Sequence, residues 1–234
     1  ENSSGTYDHI SVPQLALATW NIYVGAGTSP MADVRFRKAI LLSIPEKDTI
    51  SSYGSRAVEP SDFGGGAYDA TQCSKNCETD LEEAKDLVKQ VYPDGNVPSI
   101  NIDIEGNDLQ KELADSTAND LASIGVPSVI REHSASELSN LIARGEVQLY
   151  RFGWISAVPE LGDGAVAGFK ADSPDNISGI VDVKLENKIK DFTAAKTVQS
   201  RKDASIAIQE RLKDLWIVRP IAVFQDVISV HKTI

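Results

Sequence analysis

Basic residues are few in this sequence. Its 234 residues include 23 lysines and arginines against 34 aspartates and glutamates, which gives a formal net charge of −11 at pH 7. No basic cluster occurs along the chain, although proteins that bind nucleic acid or anionic membrane surfaces use such clusters to neutralise phosphates. We therefore expect neither nucleic acid nor an anionic membrane as a partner.

Long apolar runs are also missing. No run approaches the roughly 20 residues that a membrane-spanning helix needs, and the polar opening ENSSGTYDH has neither the basic start nor the apolar core of a signal peptide. Because the only methionine is Met31, we expect the chain to be a processed or excised piece of a longer protein. Its length allows one large domain or two small ones, and we favour one domain.

Cysteine is limited to Cys73 and Cys77, in the polar segment TQCSKNCETD. Two interpretations are open, a pair of free surface thiols or a small loop closed by a disulfide. We favour the disulfide, which is ordinary in an exported protein. A zinc site would need two further ligands, and the three histidines are scattered, so no metal site is predicted; they are His9, His133 and His231.

Motifs of nucleophilic catalysis, zinc proteases and phosphate-binding loops are absent. The segment LGDGAVAGF carries three glycines, but Glu160 and Asp163 would place negative charge beside a bound phosphate. We therefore predict no cofactor, no catalytic residue and no enzymatic activity. An enzyme whose site is assembled from dispersed carboxylates is retained as an alternative.

Hydrophobic periodicity predicts an α/β fold. A buried strand over 15–24 precedes a helix capped by Asp33, and Asp80 opens a second helix. Helices and strands then alternate from 80 to 155, which is typical of βαβ units around a mainly parallel sheet. Two amphipathic helices within 182–217 are expected to pack as a pair.

Two further segments of the chain carry predictions about strands. Arg219 and Pro220 are expected to end the second helix of the pair, and IAVFQDVISV reads as a final strand that could neighbour the first. In SINIDIEG, isoleucines alternate with polar residues, so we predict a half-buried strand with Asp103 and Glu105 on its solvated face. A catalytic carboxylate pair is the less favoured interpretation.

The stretch YRFGWISAVPE at 150–160 is the first candidate for a binding site. It joins an apolar strand to an aromatic residue and a turn marked by Pro159, where open α/β sheets bind ligands. Trp154 is either a core residue or a contact surface. Gly153 and Ser156 favour the contact surface, since the first allows close backbone approach and the second offers a small hydroxyl.

Several segments, in the same order along the whole chain, resemble one protein family. They are WNIYVGAGTSPMADVRFRKAI, DLEEAKDLV, ANDLASIGVPSVIRE, GWISAVPE and DNISGIVDV, followed by the paired helices and the final strand. The pattern is similar to the extracellular solute-binding proteins of ABC importers, in the class that contains the oligopeptide-, dipeptide- and nickel-binding proteins (solute-binding protein family 5). Each segment is degenerate alone, so the colinear order carries the resemblance.

The resemblance implies a periplasmic-binding-protein-like (type II) single lobe, an α/β unit whose mixed sheet has helices on both faces. Residues 1–234 would be the C-terminal lobe of a two-lobed protein whose other lobe is missing. The two lobes would close on a peptide or similar small solute and deliver it to an ABC permease in the membrane. The resemblance also implies an extracytoplasmic monomer at the cell surface, with a parent that is membrane-anchored as a lipoprotein or periplasmic.

The resemblance also places the ligand contacts. Trp154 would be a stacking or apolar wall, Phe152 and Ser156 its neighbours on the cleft edge, and Asn21 a hydrogen-bonding residue at the lobe crossing. Peptide binders of the family have an acidic residue three after the tryptophan, which takes the peptide's α-ammonium; here that position is Ala157.

The departure at Ala157 leaves two interpretations of the ligand. Either Glu160 or Asp163 substitutes for the missing carboxylate, or the solute is not a peptide with a free amine. A rival function follows from the same departure: an interaction or sensory module that keeps the fold, presents a peptide or signal to a receptor and has no transport role.

Overall fold

The computed structural model describes residues 7–25, 29–45, 57–60, 69–72, 75–155 and 161–231. The strands are β1 (Tyr7–Ile22), β2 (Ala57–Val58), β3 (Ile100–Glu105), β4 (Ser128–His133), β5 (Leu149–Ile155) and β6 (Val218–His231). The α-helices are α1 (Val34–Ser43), α2 (Leu81–Val91), α3 (Asp108–Ser123), α4 (Ala135–Arg144), α5 (Leu161–Phe169), α6 (Val183–Ala194) and α7 (Val198–Leu215).

All six strands form one sheet in the order β2-β6-β1-β5-β3-β4. Strand β3 runs parallel to β4 and β5, whereas β1 is antiparallel to both β5 and β6. The sheet is therefore mixed, and only its β5-β3-β4 part matches the mainly parallel arrangement predicted from the alternation of elements. The predicted pairing of the first and last strands is confirmed, from Tyr7 opposite His231 to Asn21 opposite Val218.

Helices cover both faces of the sheet, because successive residues of a strand point to opposite sides. In β5, Leu149 packs into one hydrophobic cluster with α1, α2 and α3. Its neighbour Tyr150 packs into a second cluster with α4, α5, α6 and α7. This arrangement confirms the α/β, periplasmic-binding-protein-like fold class.

Local sequence explains where most helices begin and end. Each N-cap side chain accepts a backbone N–H from the first turn of its helix, and the caps are Asp33, Asp80, Asn107, Ser134, Asp182 and Thr197. Gly125 and Gly145 follow α3 and α4 with φ of +82° and +68°, a left-handed conformation that glycine adopts without strain. The caps at Asp33 and Asp80 were predicted from sequence.

One prediction about the later part of the chain is wrong. Helix α7 ends at Leu215, where Trp216 takes a left-handed φ of 50°, and Arg219 and Pro220 lie inside β6. Pro220 is tolerated there because it sits at an irregularity in the β1–β6 register, where a strand can dispense with a backbone N–H. The segment LGDGAVAGF, for which a phosphate-binding loop was rejected, forms helix α5.

Candidate functional site

An open cavity of about 330 Å³ lies at the carboxyl ends of β3 and β5. The walls come from these two strands, from the first turn of α3, from α4, and from one residue each of β1 and β6. The lining residues are Ala18, Glu105, Gln110, Ala135, Leu138, Ser139, Ile142, Arg151, Phe152, Gly153 and Phe224.

The strand lengths explain why a cavity forms here. Asp103 pairs with Tyr150 in the parallel β3–β5 ladder, so Glu105 at the end of β3 lies level with Phe152, while β5 continues to Ile155. Helices α3 and α4 begin just after β3 and β4, so their amino ends meet at the same edge. This edge, at the carboxyl ends of parallel strands, is where open α/β sheets bind ligands.

One part of the wall is apolar. Leu138 and Ile142 of α4 are buried, and Phe152 of β5 and Phe224 of β6 are half-buried. Leu138 and Ile142 lie four residues apart on the same side of α4, and Phe152 packs against the hydrophobic cluster that contains them. This part of the cavity suits an aliphatic or aromatic group.

Arg151 forms a buried, positively charged part of the wall and is only 5% exposed. Its Nε donates to Oε1 of Gln110 at 3.1 Å, and its Nη1 donates to the carbonyl oxygen of Thr19 at 2.8 Å. The guanidinium carbon lies 5.2 Å from the ring centroid of Trp20, within the range of a cation–π contact. Burial lowers the pKa of Arg151 to about 9. These contacts hold both the guanidinium and the Gln110 amide in place.

Glu105 is the acidic residue of this wall. It is exposed and ends β3, and its backbone carbonyl accepts from the N–H of Asn107 at 2.9 Å. Within the described residues, its carboxylate has neither an ion pair nor a side-chain hydrogen bond. It therefore lines the cavity as a solvated negative charge.

The structure corrects the sequence interpretation of Asp103, which lies two residues before Glu105 on β3. Its side chain is 0% exposed instead of solvated. Arg131 donates to it through Nε at 2.7 Å and Nη2 at 2.9 Å, and Nε2 of His133 lies 2.9 Å from Oδ1. The interpretation of Asp103 and Glu105 as a catalytic pair also loses support, because the Asp103 carboxylate is buried and held by Arg131 and His133 whereas Glu105 is exposed.

Two of the residues predicted in the 150–160 segment lie at or beside the cavity. Phe152 lines it, together with Gly153. Trp154 is the next residue of β5 and pairs with Leu17 in the ladder, so its backbone lies beside the cavity. Ser156 lies outside the described residues.

Asn21 is placed differently from the others. It is 1% exposed, and its Nδ2 donates to Oγ1 of Thr19 at 2.8 Å. It does not line the cavity. Its Oδ1 has no hydrogen-bond partner within the part of the chain that the structure describes.

Glu160 and Asp163 were predicted as substitutes for the carboxylate that is missing at Ala157, and the structure describes only Asp163. Asp163 lies on α5, where its Oδ1 accepts from Nη2 of Arg201 at 2.7 Å, and it does not line the cavity. Glu160, like Ala157, lies outside the described residues. Of the cysteines, Cys77 is 5% exposed and Cys73 is outside the described residues.

Sequence reasoning missed most of the polar wall. Glu105 was assigned to a solvated strand face, and Gln110 and Arg151 were not considered. One available signal was the close spacing of Arg131 and His133 on the next strand, which marks Asp103 as paired and leaves Glu105 as the remaining acid of β3.

Two features are absent from the part of the chain that the structure describes. No group of three or more histidine, cysteine, aspartate or glutamate residues is arranged to hold a metal ion. No described helix combines the length and apolar character that crossing a membrane requires.

Comparison with known families gives one match. Residues 4–176 match the family described as bacterial extracellular solute-binding proteins, family 5 Middle. No curated protein matches the chain.

Solved structures share the fold. An ABC transporter substrate-binding protein, CtaP, from Listeria monocytogenes is 20% identical with a TM-score of 0.82, over 97% of this chain and 47% of that one. OppA from Haemophilus influenzae, in complex with the peptide RPPGFSPFR, is 17% identical with a TM-score of 0.79, over 96% and 45%. NikA from Brucella suis, in complex with Fe(III)-EDTA, is 17% identical with a TM-score of 0.78, over 97% and 49%. The chain spans about half the length of these structures.

Proposed function

Because this chain belongs to the bacterial extracellular solute-binding proteins of family 5, we propose that it captures a peptide or similar small solute for an ABC importer. In this proposal residues 1–234 form the C-terminal lobe of a two-lobed protein. The observation that carries the proposal is the open cavity at the carboxyl ends of β3 and β5, lined by Phe152. Its wall is suited to holding a ligand, and the described residues that line it include no nucleophile paired with a base.

The long strands β1 and β6 supply a connection to a second lobe. Strand β5 covers β1 only from Ala16 onward, whereas β1 and β6 continue as a two-stranded ribbon from Tyr7 opposite His231 to Pro13 opposite Gln225. The register shifts between Pro13 and Leu17, and such irregularities bend a ribbon. We assign this ribbon to the lobe crossing about which the two lobes close.

In this proposal, closure of the two lobes accounts for the affinity for the solute, and no covalent bond is made or broken. A solute that contacts both lobes binds the closed state more tightly than the open state and shifts the equilibrium toward it. The contacts from this lobe are assigned to Trp154, Phe152 and Ser156 at the cleft edge, with Asn21 as a polar residue near the crossing. A lobe that lacks its partner is expected to bind weakly, since half of the contacts are absent.

The remaining parts of the proposal concern cellular context. The full-length protein is assigned to the outer side of the cytoplasmic membrane, as a monomer that is lipid-anchored or periplasmic and delivers its solute to a membrane permease. A Cys73–Cys77 disulfide fits that compartment. The burial of Cys77 and the lack of a free cysteine among the described residues support the disulfide. Intact mass before and after reduction tests it, because a closed bridge gains two hydrogens.

Native mass spectrometry of the full-length protein, purified gently, tests the function. We expect a co-purifying ladder of peptide masses. A single non-peptide mass would replace the peptide with another solute class. A protein that carries no ligand and also ignores peptide pools would contradict the transport function and favour the sensory one.

Substitution of Trp154 tests the cleft assignment. Trp154→Ala in the full-length protein is expected to weaken solute binding, and Trp154→Phe, which keeps an aromatic face, to retain most of it. Unchanged affinity in Trp154→Ala, together with a lower thermal stability, would return the tryptophan to a structural role.

A further inference from the structure

We infer that the outer surface of the α6–α7 hairpin docks on a layer of anionic lipid headgroups through five lysines, which are Lys184, Lys188, Lys190, Lys196 and Lys202. We call these residues the lysine surface. The inference goes beyond the proposed function, on which it rests only for the compartment. It replaces the expectation from the sequence that no anionic membrane is a partner, because these lysines lie two to six residues apart and form no cluster in chain order.

The first argument is that the lysine surface is unpaired. Within the described residues, none of its five side chains makes an ion pair or a hydrogen bond. Every other lysine or arginine whose side chain the structure describes is engaged by a carboxylate or by a backbone carbonyl. The cations that remain available to a partner are therefore gathered on one helical hairpin.

The second argument is the local sign of the charge. Residues 183–202 contain six basic residues and two acidic ones, although the whole chain has 34 acidic residues against 23 basic ones. Of the two acids, Glu186 accepts from the backbone N–H of Ala171 at 2.7 Å. Asp191 is left as the exposed acid among the lysines. The hairpin thus presents positive charge on a protein that is negative elsewhere.

The third argument is the shape of this surface. Leu185, Ile189 and Phe192 bury one side of α6, so the exposed Lys184 and Lys190 lie on the side turned away from the core. A helix of 12 residues is about 18 Å long, and the lysines continue beyond it into the first turns of α7. Positive charge spread over such a length fits a layer of headgroups better than a single small anion.

The fourth argument is the apolar side chains beside the lysines. Val181, Val183 and Val198 are 78%, 74% and 76% exposed, and no other large apolar side chain among the described residues exceeds the 54% of Val129. All three valines lie at the beginnings of α6 and α7. Exposed apolar side chains next to lysines are typical of surfaces that rest in a membrane interface, where the apolar groups enter the headgroup region.

The same composition favours lipid over an acidic protein surface. Protein–protein interfaces are enriched in aromatic residues and arginine and depleted of lysine, whereas lysines near an anionic membrane each contribute to its binding. Lysine also contacts a phosphate as a point charge, without the fixed geometry of arginine. We therefore assign the lysine surface to lipid phosphates.

Sedimentation with vesicles tests the inference on the full-length protein, produced without a lipid anchor. The vesicles contain phosphatidylcholine alone or equal parts of phosphatidylcholine and phosphatidylglycerol. We expect binding to the anionic vesicles only. Binding should weaken as salt rises from about 0.01 M to about 0.15 M, because the Debye length falls from about 30 Å to about 8 Å.

The triple variant Lys184→Gln, Lys190→Gln, Lys196→Gln removes the exposed charges of the hairpin. Each lysine near an anionic surface contributes about a 5-fold factor, so at about 0.1 M salt we expect binding to anionic vesicles to fall about 100-fold. Circular dichroism and thermal unfolding confirm that the variant is folded.

The matched control changes net charge equally but elsewhere, as Lys85→Gln, Lys89→Gln, Lys111→Gln. These lysines lie on α2 and α3, which pack on the opposite face of the sheet from the hairpin. Charges more than a Debye length from the vesicle are largely screened, so this variant should lose less than about 3-fold. An equal loss in both triple variants would assign the binding to net charge and overturn the lysine surface.

The apolar part is tested by the double variant Val181→Ser, Val183→Ser. We expect a loss of about 3- to 10-fold that persists at higher salt, because apolar contact is not screened. Val129→Ser on β4 is the control and should bind as the wild type does.

The remaining outcomes separate this inference from the proposed function. Equal binding to neutral and anionic vesicles, or no binding to either, overturns it. Binding only to neutral vesicles that contain the permease would make the partner an acidic protein and also overturn it. Solute affinity of the lysine variant should equal that of the wild type, because none of the substituted lysines lines the cavity. A protein that binds anionic vesicles but no solute would contradict the proposed function alone.

Discussion

Two carboxylates on the same strand lie in opposite surroundings. Asp103 is fully buried and held by Arg131 and His133, whereas Glu105 is exposed on the cavity wall. The parallel β3–β4 ladder makes this difference, because it pairs Asp103 with Arg131 directly. One carboxylate is part of the scaffold, and the other is open to a ligand.

The comparison shows how this lobe separates stability from binding. A buried charge is tolerated only when fixed partners replace its hydration, so the partners of Asp103 must be present in the folded protein. An exposed carboxylate keeps its hydration until a ligand displaces it. Substitution of Asp103 should therefore lower the free energy of unfolding, whereas substitution of Glu105 should change ligand affinity.

The largest effect on stability is expected from Asp103→Ala. The change leaves the Arg131 guanidinium, which is 33% exposed, and His133 without their shared acceptor, and loss of several hydrogen bonds to a charged carboxylate costs about 3 kcal/mol. Urea unfolding at pH 7 measures this loss as a lower midpoint. A loss below about 1 kcal/mol would mean that Asp103 and Glu105 do not differ as the structure indicates.

Asp69→Ala tests a buried carboxylate of another kind. Asp69 is 0% exposed and accepts from the backbone N–H of Leu161 at 3.0 Å and from the hydroxyl of Ser205. Since both of these donors are neutral, the loss on truncation is expected to be smaller, about 2 kcal/mol. Equilibrium unfolding of the two alanine variants in parallel checks the order. A larger loss for Asp69 would reverse it.

Asp182→Asn is expected to give a smaller effect that depends on pH. The side-chain hydrogen bond from Arg211, at 2.7 Å, is the main cause that lowers the pKa of Asp182. A carboxyl whose folded pKa is lowered stabilises the protein above its unfolded pKa, and this contribution is lost as the pH falls through the folded pKa. Asparagine still caps α6, so the cost is about 1 kcal/mol at pH 7.

Thermal unfolding of the wild type and Asp182→Asn between pH 7 and pH 2 measures this dependence. The two curves should converge as the pH falls below the ordinary carboxyl range. A constant difference across the whole range would show that the loss comes from packing instead of charge.

The smallest effect on stability is expected from Glu105→Gln. The carboxylate is exposed and makes no side-chain hydrogen bond or ion pair within the described residues, so the free energy of unfolding should stay within about 0.5 kcal/mol of the wild type. Ligand binding, in contrast, should change, because Glu105 lines the cavity. A clear loss of stability would place Glu105 in the scaffold with Asp103 and remove the contrast between them.

The candidate site was only partly predictable from the sequence. Phe152 was found because an aromatic residue at the end of an apolar strand is visible in the chain order. Gln110 and Glu105 were missed because they lie more than 40 residues earlier. They reach the same cavity through the parallel pairing of β3 with β5, and no local pattern encodes which strands become neighbours.

Sequence by itself determined most of the helices and the caps at Asp33 and Asp80, because periodicity and capping side chains act within a few residues. The colinear segments were also enough to predict the family and the fold class. Only the tertiary structure decided which acids are buried and which face the cavity. Burial of a charge depends on partners from other strands, and Asp103 meets Arg131 only when β3 and β4 lie side by side.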